Sequence, residues 1–404
     1  MNDAHAPADA ADAPWRRAAA AAGLLGADGS PAPTIFAEMT ALAHRTGALN
    51  LGQGFPDHAG PAEVTEAAIR AIREGVNQYS PGRGEPDLLA AIAEHQRRFY
   101  GLDLQAEQIL VTAGATEALA ATLLSQLRAG DEIVVLEPYY DAYVALAALA
   151  GARIVPVPLR APDFQPDLDE LSAAVGPRTR MILVNSPHNP TGTVLGLELL
   201  DRIVDLAHRH DALIVTDEVY EHLAYDVPHV PIATRPGAAE RTLSISSAGK
   251  VFSVTGWKIG WVSGPARLIE QVMAVKQFLT FVSGAPFQPA VATGLRLPDP
   301  FFTGLRGSYR AKRDLLVDAL EEAGFTVTVP ASGYFALADA APLGLPDAVA
   351  AARDLPERVG VVAVPLSAFA RSERTDLRSI LRFAFCKSDA VLEDAAARLR
   401  SLRA

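Results

Sequence analysis

The chain has 404 residues, half of them hydrophobic and 21% charged, and carries a formal net charge of -11. That length accommodates about two or three ordinary domains, while the acidic balance argues against a nucleic-acid partner, whose phosphate backbone needs clustered lysine and arginine. The single cysteine, Cys386, rules out an intrachain disulfide and gives no sign of an oxidising compartment.

The first 33 residues are rich in Ala, Pro and Asp, a composition expected to give a poorly ordered tail. Arg16-Arg17 precede an alanine-rich run, but acidic residues stand before the pair and Asp28 ends the run, so no export signal is expected. No apolar stretch reaches the roughly eighteen residues that suggest a membrane span. The expected location is the cytoplasm.

From residue 108 the chain alternates short apolar runs with amphipathic ones. "QILVTAG" reads as a strand, "TEALAATLLSQL" as a helix, "EIVVLEP" as a strand and "DAYVALAALAG" as a helix. The rhythm continues through "ARIVPVPL", "DLDELSAAVG", "RMILVNSP", "LELLDRIVDLAHRH", "ALIVTDEV" and "TLSISS". Strands that are continuous Ile/Val/Leu runs, separated by helices, predict a mostly parallel sheet covered on both faces. After about residue 295 the pattern changes to helices and short antiparallel strands, including "LRFAFCKS", where Cys386 reads as a buried small hydrophobe. The fold class is α/β, with a second and smaller α+β domain.

In a doubly wound sheet, ligands collect at the carboxyl ends of the strands. The segments following the apolar runs are "AGAT" (113–116), "EPYYDAY" (137–143), "NSPHNPTG" (185–192), "DEVYEH" (217–222) and "SSAGK" (246–250), all polar, Gly-rich or aromatic. They are expected to converge on one rim.

Several chemistries fail on spacing. Gly249-Lys250 lacks the Ser or Thr that ends a P-loop, and "LGQGFPD" and "PGRGEP" supply only G-x-G of a dinucleotide fingerprint. No G-x-S-x-G elbow is present. His208, His210, His222 and His229 show no metal-ligand spacing, so no metal is expected. Pyridoxal phosphate needs a lysine, an acidic partner for its ring nitrogen, donors to its phenolic oxygen, a phosphate cup and a stacking face. The rim has a candidate for each.

"SSAGKVFSVTGWKIGW", together with "NSPHNPTG", "TDEVYEH" and "LEPYYDAY" in the expected order, resembles the class I/II aminotransferases of fold-type-I pyridoxal-phosphate enzymes, over nearly the whole chain. The resemblance implies a tail (1–33), an arm joining the small domain (34–50), a large cofactor-binding domain (51–295) built on a seven-stranded type of sheet, and a small domain (296–404). It implies that Lys250 is the Schiff-base lysine, that Asp217 keeps the pyridine nitrogen protonated, and that Tyr220 and Asn189 donate to the phenolic oxygen. Read alone, Asn189-Pro190-Thr191-Gly192 is also an ordinary turn. Tyr140 would stack on the ring, although a core aromatic is the other reading.

Gly114, Ala115 and Thr116 lie where a strand turns into a helix, a setting that favours an anion. Ser247 and Lys258 match the family's other phosphate ligands, Lys258 standing where most relatives use arginine. Tyr79 resembles the tyrosine that reaches the phosphate of a neighbouring subunit, which implies a homodimer. Arg382 resembles the arginine that clamps the substrate α-carboxylate as a bidentate pair, and Gly54 would let backbone approach the same carboxylate. Arg378 is expected on the solvated surface.

The implied reaction is ping-pong transamination from an L-amino acid to an oxo acid, with 2-oxoglutarate as the expected acceptor. "KQFLTFVSGAPFQPAVA" and "GVNQYSPGRGEPDLLAAIA" look most similar to bacterial N-succinyldiaminopimelate aminotransferases of the lysine pathway, and kynurenine and methionine aminotransferases share the frame. Arg83 or Lys276 could serve a distal carboxylate. A lyase acting on cysteine conjugates stays open as an alternative, since the same carbanion can partition differently. A transcription regulator does not, because about thirty acidic, alanine-rich residues cannot build a DNA-binding module with its own core.

Overall fold

The computed structural model describes residues 13–371 and 373–403. Helix α1 (Pro14–Ala21) begins on a proline, whose missing N–H is no loss in a first turn. Beyond it, Leu25 and Pro31 form an antiparallel bridge. From residue 13 on, this corrects the poorly ordered tail predicted by composition: alanine is the best helix former, and α1 has a neighbour to lie against, α6 described below. Residues 1–12 of that expected tail lie outside the described residues. Helix α2 (Ile35–Thr46) is capped by the Thr34 side chain, which accepts from the Ala37 N–H, and ends at Gly47. Strand β1 (Leu49–Asn50) follows, then α3 (Ala62–Arg73) and α4 (Pro86–Tyr100), the latter stopped by Gly101 at φ +70°.

The alternation beyond residue 108 is present as β2 (Ile109–Thr112), α5 (Gly114–Gln126), β3 (Glu132–Glu137), α6 (Ala142–Leu149), β4 (Arg153–Pro158), α7 (Leu168–Ala174), β5 (Thr179–Asn185), α8 (Leu197–Arg209), β6 (Leu213–Asp217) and β7 (Thr242–Ser247). A short α9 (Ala248–Val251) and β8 (Gly260–Ser263) complete a seven-stranded sheet in the order β2-β8-β7-β6-β5-β3-β4. The neighbours from β4 to β7 run parallel, whereas β8 is antiparallel to both β7 and β2. That reversal decides the site. It puts the start of β8 on the same rim as the ends of the other strands.

The period of two along β3 sends Ile133 and Val135 into one core with Leu183, Val215 and Ala118, while Val134 and Leu136 enter a second core with Ile182, Ile214 and Ile203. Both faces are covered, which is why these strands read as unbroken apolar runs. Helix α8 buries Leu199, Leu200, Ile203, Val204, Leu206 and Ala207, the 3.6-residue stripe of a half-covered helix.

Three helices, α10 (Ala266–Lys276), α11 (Phe287–Leu295) and the long α12 (Asp299–Ala323), lead to the remainder. There β9 (Thr326–Thr328), β10 (Phe335–Asp339), α13 (Ala348–Arg358), β11 (Val361–Val362), β12 (Val364–Pro365), β13 (Ile380–Ala384) and α14 (Asp389–Arg400) follow. Strands β12-β13-β10-β9 form an antiparallel sheet, and β1 pairs with β11. Cys386 is fully buried, and Arg378 is exposed beside the Asp347 carboxylate at 3.4 Å.

Candidate active site

Five strand ends and the start of β8 surround a cavity of about 250 Å³. Of the residues expected at the site, Gly114, Ala115, Thr116, Tyr140, Asn189, Asp217, Tyr220, Ser247, Lys250 and Lys258 all line it. Tyr140 therefore faces the cavity instead of filling a core.

At one end lies an anion cup. Helix α5 opens at Gly114, whose φ of +77° suits glycine, and its first three residues, Gly114, Ala115 and Thr116, line the cavity. A Cβ on Gly114 would stand 3.2 Å from Lys258 Nζ. A Cβ on Gly260 would be driven to 2.6 Å from the Gly114 carbonyl carbon, so only glycine lets the start of β8 pass beneath the helix turn. The Gly-Trp-Lys-Ile-Gly-Trp frame is thereby explained. Trp257 stacks on Phe287 with ring centroids 4.8 Å apart, Lys258 reaches the cup, Gly260 makes the close approach, and Trp261 is buried in the core.

Lys250 sits across the cavity. Its Nζ is 3.4 Å from the Gly54 carbonyl oxygen and 5.5 Å from the Tyr334 ring centre. Burial lowers its pKa to about 8, with Arg382 and Lys258 adding to the effect and Cys386 and Asp217 opposing it. Asp217, at the end of β6, accepts a 2.8 Å hydrogen bond from the Tyr143 hydroxyl. Burial raises the pKa of Asp217, and the Tyr143 bond acts against that rise.

Asn185 fixes two neighbours at once: its side-chain amide donates to the Asp217 carbonyl at 2.7 Å, and its oxygen accepts the Asn189 N–H at 2.7 Å. Asn189 in turn accepts from Arg382 Nη1 at 2.9 Å. Tyr143, Asn185, Tyr334 and Gly260 were not singled out by the sequence. Tyr143 and Asn185 lay within segments already expected at the rim, whereas Tyr334 comes from the turn before β10, which no local pattern links to it.

Arg382 is 2% exposed and held between the Phe335 and Phe369 rings, 3.8 and 4.4 Å from their centres. Nη2 donates to the Gly52 carbonyl at 3.1 Å, and Nε is buried without a hydrogen-bond partner. Burial lowers its pKa to about 10, which leaves it charged at neutral pH. A desolvated guanidinium with an unused donor is suited to a carboxylate ligand. Gly54 has a second reason to be glycine: a Cβ there would lie 2.5 Å from the Phe335 ring.

Gly54 and Arg382 lie just behind the cavity wall, against Lys250 and Asn189, and three other expected residues stand farther from it. Tyr79 is 82% exposed and meets the Phe281 ring edge-on at 5.3 Å. Arg83 donates to the Glu107 and Ile109 carbonyls, and Lys276 is buried with Nζ donating to the Phe281 carbonyl at 2.6 Å. Within this chain neither basic side chain is directed at the cavity, because each already satisfies backbone carbonyls.

The donor set fits pyridoxal phosphate. A glycine-built helix terminus with Ser247 and Lys258 suits a phosphate, a buried low-pKa lysine suits an aldehyde carbon, and a buried carboxylate suits a ring N–H.

Comparison with known proteins agrees with this assignment. The family described as aminotransferase class I and II matches residues 46–399. The chain is 50% identical over 383 residues to the "Probable N-succinyldiaminopimelate aminotransferase DapC" of Mycobacterium tuberculosis, covering 92% of this chain and 96% of that protein. It is 37% identical over 371 residues to the methionine aminotransferase of Escherichia coli, covering 91% and 96% of the two chains. The solved N-succinyldiaminopimelate aminotransferase from Mycobacterium tuberculosis superposes with a TM-score of 0.89 over 92% of this chain and 97% of that one, again at 50% identity. With one family spanning the strands that build the rim and the arginine-bearing strand β13 alike, the chain belongs to the class I and II aminotransferases, and its cofactor is pyridoxal phosphate.

Proposed function

We propose that this aminotransferase moves the amino group of N-succinyldiaminopimelate to 2-oxoglutarate, working as a cytoplasmic homodimer. The observation that carries the substrate reading is the 50% identity to the Mycobacterium tuberculosis relative, against 37% to the methionine and human kynurenine enzymes.

Pyridoxal phosphate, when bound, supplies a ring that accepts the electron pair left as a proton leaves the amino acid Cα. The chain's residues do the rest. Lys250 Nζ takes the Cα proton and returns it across the nitrogen to the carbon beyond, as base and then acid. Asp217 would hold a proton on the ring nitrogen, the positive charge of the protonated ring opposing the upward push of burial on its carboxyl. Tyr220 and Asn189 donate to the phenolic oxygen, Tyr140 covers a ring face, and the amides of Gly114, Ala115 and Thr116 with Ser247 and Lys258 hold the phosphate. Arg382 grips the α-carboxylate, with the Gly54 backbone beside it. The second oxo acid then runs the same proton movements in reverse.

The dimer reading is supported by the apolar surface around Tyr79. Phe278 is 84% exposed, and Phe281 and Leu279 are exposed beside it, a patch that a lone soluble chain would rarely display. In this reading Tyr79 completes the phosphate cup of the partner subunit.

Comparing kcat/KM for N-succinyldiaminopimelate, methionine and kynurenine with 2-oxoglutarate as acceptor tests the substrate. A preference of at least about tenfold for the succinylated donor is expected, a difference of roughly 1.4 kcal/mol. Preference for methionine or kynurenine overturns the reading, and release of pyruvate and ammonia from a cysteine conjugate as the faster reaction indicates a lyase. A smaller effect is expected at Tyr143. Tyr143→Phe removes a buried bond to Asp217 worth about 1–2 kcal/mol, so kcat should fall about tenfold with little change in melting temperature. An unchanged kcat would show that the bond does not tune Asp217.

A further inference from the structure

A second cluster of reactive side chains lies behind the catalytic rim. His95, from α4, meets His222, from the segment after β6, with the two Nε2 atoms 2.6 Å apart although the residues are 127 positions apart in sequence. Glu221 completes the group, and one ligand atom from each of the three lies within 4.8 Å of the others. All three residues are buried. The Glu221 carboxylate accepts from Ser246 Oγ at 2.6 Å through Oε1 and has the Tyr100 hydroxyl as a second neighbour, while His95 Nδ1 is buried without a hydrogen bond. Buried polar atoms are nearly always partnered, so two imidazoles in direct contact beside a buried carboxylate, one ring with an unpartnered nitrogen, need an explanation.

We infer that His95, Glu221 and His222 form a binding site for a divalent transition-metal ion, zinc in the first instance, separate from the transamination centre. Two imidazoles and one carboxylate are a known zinc ligand set, with a water in the fourth position. A cavity of about 400 Å³ reaches Glu221 and His222 and is also lined by Tyr100, His229 and Arg306, so an ion and its water have access. Phe99, which also lines that cavity, and Phe302 pack against the His222 ring, their ring centres 4.8 and 4.4 Å from its own. Each ring offers its Nε2 to the shared point, and the neutral imidazole is the form that binds metal. Arg98 and Arg306 add positive charge nearby; Glu218, close to His229 at 3.7 Å, adds a second carboxylate against them.

The geometry fixes what binding must do. Two nitrogens on one tetrahedral zinc, each about 2.0–2.1 Å from the metal, stand about 3.3 Å apart. The rings must therefore part by about 0.7 Å from the observed contact. The Nε2 proton shared between them moves to Nδ1 of its own ring, and any proton on Glu221 is released to solvent. The bound ion joins α4 to the segment that follows Asp217 and, through Ser246, to the end of β7 next to Ser247. Held by three protein ligands and a water, it would tie these elements together behind the rim.

Sequence spacing could not reveal this site, because no short motif holds residues so far apart. The test uses untagged enzyme loaded with pyridoxal phosphate, treated with EDTA, desalted and titrated with zinc chloride in a calorimeter, with metal content measured after gel filtration. One zinc per chain is expected, together with a rise of several degrees in melting temperature and tetrahedral-type visible bands when cobalt(II) replaces zinc. His95→Gln and Glu221→Gln should each weaken binding at least about 100-fold. Circular dichroism checks that each variant folds, and the cobalt spectrum of the unaltered protein needs no variant. Enzyme that keeps no zinc after gel filtration overturns the inference and leaves a His–His hydrogen bond in its place. Zinc retained equally by both variants places the ion elsewhere and overturns it too.

Discussion

Lys250→Ala is expected to lower transamination by about ten-thousand-fold or more while leaving the chain folded, since both the attachment point and the proton carrier are lost. Steady-state turnover with any accepted donor measures it, and a loss smaller than about tenfold would remove Lys250 from the mechanism. The same residue sets a pH dependence. In the cofactor-free chain its pKa is about 8, below the 10.5 of an ordinary lysine, because burial disfavours the ammonium. The folded chain thus binds fewer protons than the unfolded chain between those values, and stability from this group rises as pH increases from about 8 towards 10.5. Below pH 8 the buried charge is fully present and is a destabilising feature. Cofactor-free Lys250→Ala should therefore melt at a higher temperature than the unaltered chain at pH 7, with the gap narrowing above pH 8. Reaction of the cofactor-free protein with an amine-directed reagent should speed up through pH 8 at this position. A midpoint near 10 would contradict the burial argument.

Arg382→Lys is expected to raise the KM for amino donors about 100-fold, with kcat reduced less. A lysine places one point charge where a planar fork made two parallel bonds. It also abandons the Asn189 oxygen and the Gly52 carbonyl that now orient the guanidinium at 2.9 and 3.1 Å. Loss of one charge-assisted bond is about 1.5–3 kcal/mol, which spans about 10- to 100-fold. The check is kcat/KM for an α-amino acid measured beside that for its decarboxylated amine. Arg382→Lys should narrow the ratio between them. An unchanged ratio would show that the carboxylate is bound elsewhere.

What the order of residues determined by itself was everything governed by local period and short motif. Unbroken apolar runs such as "EIVVLE" and "MILV" specify strands buried on both faces, and the spaced leucines and isoleucines of α8 specify a helix with one covered side. From these the strand ends, and so most of the cavity wall, followed. Lys250, Asp217, Tyr220 and Asn189 were legible because each stands in a motif at a strand end.

Tertiary structure alone decided the rest. Lys258 reaches the cavity beside Gly114 because β8 runs against its neighbours, a fact that depends on pairing and not on local pattern. The sequence assigned a poorly ordered tail up to residue 33, but α1 is a helix that has α6 to rest on, and propensity cannot foresee a neighbour. Arg83 and Lys276 satisfied the charge requirement of a distal carboxylate, yet their partners are backbone carbonyls brought close by packing. His95 and His222 meet for the same reason. Side chains far apart in the chain become neighbours only when burial of their apolar surroundings brings the elements together, and a one-dimensional pattern carries no record of that distance.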